Sequence, residues 1–156
     1  MAGQASGASG GKRQLLWSVE QVFAFLEREF PQAFLDGDSY TLERLEPGGA
    51  SVRLTATERN LRPGGTVSGP AMMKLVDFSV YALLLAHHGV EARLAVTSNL
   101  SISFLRKPGP GDIVCDVELV KHGRTLSVAD CRLRSGDGRL VAHAEATYYM
   151  GGSGES

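Results

Sequence analysis

The chain predicts an α+β fold in which a mainly antiparallel sheet wraps one long central helix. The first sign is the stretch 70–85, apolar on nearly every side of a helical projection and carrying only Lys74 and Asp77 as charges. A helix of that composition must be buried over most of its surface. The second is a set of alternating apolar and polar segments, two before this stretch and four after it, with the period of strands. The third is the order itself: helix, two strands, long helix, four strands, with no internal repeat and no βαβ alternation.

The first helix opens at Ser18 as N-cap, with Gln21 at the reciprocal capping-box position and Trp17 and Val22 spaced as a hydrophobic staple. Val22, Phe23, Leu26 and Phe30 mark its apolar face, and Pro31 ends it. Residues 40–46 and 50–57 alternate around Pro47-Gly48-Gly49, which predicts a hairpin. A loop over 58–69 then leads into the long helix. Pro70 suits a first helical position, because its missing N–H has no intrahelical partner there; Gly69 becomes the N-cap and Gly89 closes the helix. Beyond it, 93–107 places Leu100, Ile102 and Phe104 on one face, and 112–121 does the same with Ile113, Cys115, Val117 and Leu119. The last two strands, 125–134 and 139–150, flank Ser135-Gly136-Asp137-Gly138, a strong hairpin signal.

With 156 residues and 43% hydrophobic content, the chain makes one ordinary domain with a core large enough to fold without metals or disulfides. We place that domain at 15–150, between Gly/Ala/Ser-rich ends, 1–14 and 151–156, expected to be disordered. A net charge of −1 without long runs of either sign argues against nucleic-acid binding and against a membrane-surface helix. The first residues lack the apolar core of a signal peptide, and 70–85 reads as too short and too polar to span a bilayer. Cys115 and Cys131 fall in strand-like segments without metal-ligand spacing, so buried free thiols in a reducing cytoplasm are expected.

Asp77 is the residue that points to function. An ionised carboxylate inside an apolar helix costs several kcal/mol unless it is paired or used. One explanation is a local ion pair with Lys74, three residues earlier on the same helical face. The other is a carboxylate placed to activate water or attack a substrate in a pocket opened by the helix and its preceding loop.

The long helix is entered through Ser68-Gly69-Pro70, with Asp77 two turns on. The following strand ends Ser103-Phe104-Leu105-Arg106-Lys107-Pro108 before a Gly111-Asp112 turn, and a Gly123-Arg124 pair comes later. Taken together, over roughly 59–149, these spacings resemble the PaaI-like acyl-CoA thioesterases of the hotdog fold, whose central helix opens with a His-Gly-Gly triplet followed two turns on by an acid. The resemblance implies an α+β hotdog, an antiparallel sheet wrapped around its helix, hydrolysing an acyl-CoA to free acid and coenzyme A. It implies no cofactor, a homodimer with antiparallel central helices, and pairing of dimers into tetramers. Arg62, with Asn60 nearby, stands where relatives carry an Asn or Gln that helps hold the thioester or water. Thr97 aligns with a hydroxyl residue that orients water, and Ser98 is its neighbour. Ser68 takes the place of the histidine, and Pro70 removes one N–H.

Thioester hydrolysis needs a donor aimed at the developing oxyanion and a base or nucleophile at the carbonyl carbon. Gly69 offers an N–H without a blocking side chain at a helix N-terminus. Asp77 offers the base or nucleophile. The two lie eight residues apart, about 12 Å along a helix rising about 1.5 Å per residue. One carbonyl cannot touch both, so a working site requires an antiparallel helix from a second protomer. Arg106, Lys107, Lys121, His122 and Arg124, at strand ends and turns, are candidates for the coenzyme A phosphates. His87 and His88 sit at the helix C-terminus, where capping as imidazolium is expected. Met72, Met73, Phe78 and Tyr81 belong to the core or shape an acyl tunnel. No metal-ligand spacing is visible. Two other readings stay open: an acyl-CoA-binding module without catalysis, and a hydratase or dehydratase of the same fold, which would need a histidine that the loop before the helix lacks.

Overall fold

The computed structural model describes residues 14–151, so the expected disorder of the two ends falls almost wholly outside the described residues. Helix α1, Val19–Glu29, begins with the full capping box: the Gln21 N–H donates to Ser18 Oγ at 3.3 Å and the Ser18 N–H donates to Gln21 Oε1 at 2.9 Å. It buries Val22, Phe25 and Leu26. Phe25 therefore takes the place expected for Phe30, which stands exposed as the C-cap before a 3₁₀ turn, Pro31–Gly37.

The hairpin β1, Ser39–Glu46, and β2, Gly49–Thr55, follows as expected. The expected loop is more structured than its glycines suggested. It holds a short turn, Glu58–Asn60, and a two-stranded ribbon, β3, Leu61–Arg62, and β4, Thr66–Val67. Gly64 and Gly65 make the ribbon's turn with φ of 101° and 83°, a region open to glycine at little cost.

Helix α2, Gly69–His88, runs 20 residues through the middle of the fold. Its N-cap is Ser68, not Gly69: the Ala71 N–H donates to Ser68 Oγ at 3.2 Å, leaving Gly69 and Pro70 as the first two helical residues. The serine wins because its hydroxyl supplies an acceptor that glycine lacks. At the other end the Gly89 N–H donates to the Leu85 carbonyl, while Leu16 and Trp17 donate to the Ala86 carbonyl at 2.7 and 3.0 Å. The segment ahead of α1 thus closes the C-terminus of α2.

Four long strands complete the sheet: β5, Val96–Phe104; β6, Ile113–His122; β7, Leu126–Ser135; and β8, Leu140–Tyr149. The six-stranded order is β1-β2-β6-β7-β8-β5, antiparallel throughout. Its inner face covers α2, burying Leu75, Val76, Ala82, Leu83, Leu84 and Leu85 completely. Each fully buried Leu contributes about 1.5–3 kcal/mol. Gly69–Ala92 is in fact long and apolar enough to cross a membrane, against the expectation from its charges. What makes it a core helix is the sheet around it. Cys115 and Cys131 are buried free thiols on β6 and β7, as expected. Strand β5 pairs only with β8 and so forms an edge, and there Phe104, two residues beyond Ile102, is exposed while Leu100 and Ile102 are partly buried.

Gly89 adopts φ 62° and ψ −140°, and a Cβ there would lie 3.3 Å from the Trp17 indole. Gly89→Ala should therefore destabilise the fold by about 1–3 kcal/mol, read as a lower urea midpoint with unchanged slope.

Candidate active site

Asp77 lies in the third turn of α2, half-buried, above the ends of two paired strands. Thr97 near the start of β5 and Tyr148 near the end of β8 are direct cross-strand partners, so their side chains share one face of the sheet. Both hydroxyls reach the same carboxylate oxygen: Thr97 donates to Asp77 Oδ1 at 2.5 Å and Tyr148 at 2.6 Å. Tyr148 also lies 3.0 Å from the Asp77 main-chain carbonyl. Burial first, then the Asp77 charge and its hydrogen bond, push the Tyr148 phenol well above the usual tyrosine range, so it remains a donor. A register shift between Thr97 and Asn99 marks a bulge at Ser98, whose hydroxyl donates to the Thr147 carbonyl at 3.3 Å. Bulges re-aim neighbouring side chains, and here the bulged residue follows directly on Thr97.

Asp77, Thr97 and Tyr148 border a cavity of about 380 Å³ whose apolar wall includes Phe30, Phe78 and Tyr81. The local pair expected as one explanation of Asp77 does not form. Lys74 instead bonds Asp38, whose carboxylate also accepts from Asn60 Nδ2 at 3.0 Å and from the Tyr40 hydroxyl. Burial works to raise the Asp38 pKa, but the hydrogen bonds from Lys74 and Asn60 and the Lys74 charge outweigh it and hold the carboxyl below its usual value. Asn60 is buried, and its Oδ1 accepts from the Thr57 N–H at 2.8 Å and from the Thr57 hydroxyl at 3.2 Å. Its amide is thus tied into the chain on both its oxygen and its nitrogen.

The N-terminus of α2 opens into a different cavity, of about 630 Å³, bordered by Gly69, Phe104, Arg62, Arg106 and Lys107. The N–H groups of this end are largely spoken for. Ser68 donates to the Asn60 carbonyl, Ala71 to Ser68 Oγ and Met72 to the Ser68 carbonyl, and Pro70 has none. That leaves the Gly69 N–H, which has no acceptor within the helix. An adjoining hollow of about 430 Å³ shares Arg106 and Lys107 and adds Arg139, a cation that sequence reasoning passed over.

The structure thus gathers Arg62, Arg106 and Lys107 beside Gly69, and Thr97 beside Asp77, but keeps the two groups in separate cavities. Lys121, His122 and Arg124 lie at the opposite end of the sheet, near the C-terminus of α2. There His122 Nε2 is 2.6 Å from His88 Nε2. His87 is buried and its Nε2 accepts from the Gly48 N–H at 3.0 Å, tying the β1–β2 turn to α2. An accepting ring nitrogen carries no proton, so the expected imidazolium cap is not what His87 provides. Tyr148 was missed altogether. The alternation of β8 was its only signal, since that pattern puts one of Tyr148 and Tyr149 inward. Among the described residues no group of three or more His, Cys, Asp or Glu is placed to hold a metal ion.

A six-stranded antiparallel sheet wrapped around one central helix that carries a half-buried carboxylate defines a hotdog-fold protein. The chain belongs to the thioesterase superfamily, whose profile matches residues 64–142. A crystal structure of a candidate thioesterase from Silicibacter sp. TM1040 is 46% identical, with a TM-score of 0.79 over 88% of this chain and 94% of that one. A candidate esterase of Saccharolobus solfataricus is 27% identical over 85% of this chain and 90% of its own length. The PaaI protein of the E. coli phenylacetic acid degradation operon shares the fold, with a TM-score of 0.68 at 17% identity over 86% of this chain and 96% of that one. The general chemistry of the chain is accordingly thioester hydrolysis.

The Asp38 network makes a testable contribution. A carboxyl held below its usual pKa of 3.8 adds stability that is present above that value and is lost as pH falls through the lower folded value. Asp38→Asn should cost about 1–3 kcal/mol at neutral pH, with the gap to wild type in urea unfolding narrowing as the pH drops below about 3.8.

Proposed function

We propose that the chain is an acyl-CoA thioesterase whose active unit is a homodimer in the cytoplasm, with Asp77 of one protomer and the Gly69 N–H of the other meeting at each thioester. The observation that carries this is the separation of the two chemical halves. Asp77 opens into an apolar cavity suited to an acyl group, while Gly69 opens into a cavity bordered by three cations suited to the coenzyme A phosphates. They are about 12 Å apart along α2. Antiparallel pairing of two α2 helices with Asp77 against Gly69 puts the two-fold axis at the midpoint, residue 73. Met73 is 40% exposed on the open stripe of the helix that also carries Lys74, Asp77 and Tyr81. The unpaired edge of β5 lies beside the same cavities.

In this site Asp77 acts on the carbonyl carbon either by taking a proton from an attacking water or by attacking directly and yielding an anhydride that water then opens. In both routes the carbonyl oxygen becomes an oxyanion facing the Gly69 N–H, reinforced by the positive end of α2. Collapse breaks the carbon–sulfur bond, releases the thiolate of coenzyme A and leaves the free acid. Arg62, Arg106, Lys107 and Arg139 hold the nucleotide end. Antiparallel pairing turns the partner's β6–β7 turn to the same end, which keeps Lys121, His122 and Arg124 among the candidates for that role. Ser68 serves by capping α2, and Ser98 by shaping the bulge after Thr97.

A second reading, an acyl-CoA-binding module without turnover, is favoured by one feature. With Pro70 in the helix and Ala71 capped, a single N–H remains for the oxyanion. Thiol release from a panel of acyl-CoA esters separates the two readings. On the best substrate Asp77→Asn should lower kcat by about a hundredfold or more with unchanged oligomer mass. Wild-type turnover in that variant would overturn the assignment.

Mixed dimers test the shared site. A Cβ at Gly69 would press on the Phe104 ring at 3.3 Å, so Gly69→Val crowds the donor. Homodimers of Gly69→Val and of Asp77→Asn should both be nearly inactive. The heterodimer contains one site with both residues intact and one with both altered, and should recover about half the wild-type activity. Heterodimers that form, by mass, yet stay inactive would show that each protomer builds its site alone.

A further inference from the structure

We propose that Tyr148 is a positioning residue for the hydrolysis: with Thr97 it clamps Oδ1 of Asp77, so that Oδ2 is the oxygen presented to water or to the thioester carbon. This rests on reading Asp77 as the base or nucleophile. The geometry behind it is specific. Two hydroxyls from two strands converge on one oxygen of the carboxylate, at 2.5 and 2.6 Å, rather than one on each. Tyr148 lies within 3.0 Å of the main-chain carbonyl of the same residue as well, so one phenol lies against both the backbone and the side chain of Asp77.

The clamp is stiff. The Tyr148 side chain is 3% exposed, and its ring lies parallel to that of Tyr81, with centroids 6.4 Å apart and planes 14° apart. Tyr81 is itself held by its hydroxyl, which donates to the Arg93 carbonyl at 2.9 Å. Thr97 faces Tyr148 across the ladder, so the spacing of the two hydroxyls is set by backbone register rather than by flexible side chains. A carboxylate that receives both donors on Oδ1 keeps the lone pairs of Oδ2 for the incoming proton or the electrophile. Orientation of this kind is what a reacting group needs, since small misplacements cost large factors in rate.

A buried phenol also needs a partner for stability alone. The test must therefore read chemistry. Tyr148→Phe keeps the ring and removes the hydroxyl. We expect kcat for the best acyl-CoA to fall about tenfold or more, with KM within about twofold. Tyr149→Phe, one residue along β8 and on the opposite face, should leave both parameters unchanged. Asp77→Asn is measured beside them. If it is inactive while Tyr148→Phe keeps wild-type kcat, the clamp is overturned and the thioesterase reading stands. If Asp77→Asn keeps wild-type turnover, the reading itself fails and the clamp with it. Should Tyr148→Phe not fold, Thr97→Val removes the other hydroxyl from an exposed position. The same loss of kcat at constant KM supports the clamp, and wild-type kcat overturns it.

Discussion

Because α2 is apolar on most of its circumference, its side chains must be covered, and the sheet that covers them decides where every chemical group of the protein can stand. The helix leaves open only a narrow stripe that runs past Met73, Lys74, Asp77 and Tyr81. A carboxylate on such a stripe sits at the seam between core and cavity. There it is dry enough for hydrogen bonds to be strong and open enough to be reached. The two strands beneath it, β5 and β8, lie at one margin of the sheet, and their register brings Thr97 and Tyr148 under Asp77 together.

The same burial separates the two halves of the chemistry. A straight helix keeps Gly69 and Asp77 about 12 Å apart, and no rearrangement short of breaking α2 can bring them onto one carbonyl. The fold therefore presents two separate cavities: one at the start of α2 bordered by Gly69 and cations, the other bordered by Asp77 and an apolar wall. In the dimer proposed above, one two-fold axis near Met73 would complete two sites at once.

Polar groups elsewhere are engaged in holding this frame. Asp38 draws Lys74 and Asn60 together and so ties α2 to the segments ahead of β1 and β3. His87 fastens the β1–β2 turn to the far end of α2, and Leu16 and Trp17 both donate to its Ala86 carbonyl. Lys74 and Asn60 stand near the site in sequence, and in space both bond Asp38. A side chain next to a reacting group is free to serve it only if no nearer partner has claimed it.

Local signals settled much of this protein before any fold was seen. The capping box at Ser18 and Gln21, the apolar run after Gly69, the strand periodicities and the hairpin at 135–138 all depend on residues a few positions apart, so they are legible in order. Asp77 was legible for the same reason: a charge inside an apolar helix stands out locally. Choosing Ser68 over Gly69 as the cap required the hydroxyl's actual direction. The partners of Asp77 and Lys74 lay further off. Tyr148 is 71 residues from Asp77, and Asp38 is 36 from Lys74. Contacts of that separation come from sheet register and the docking of elements, which are cooperative properties of the whole core. Only the tertiary structure could decide them.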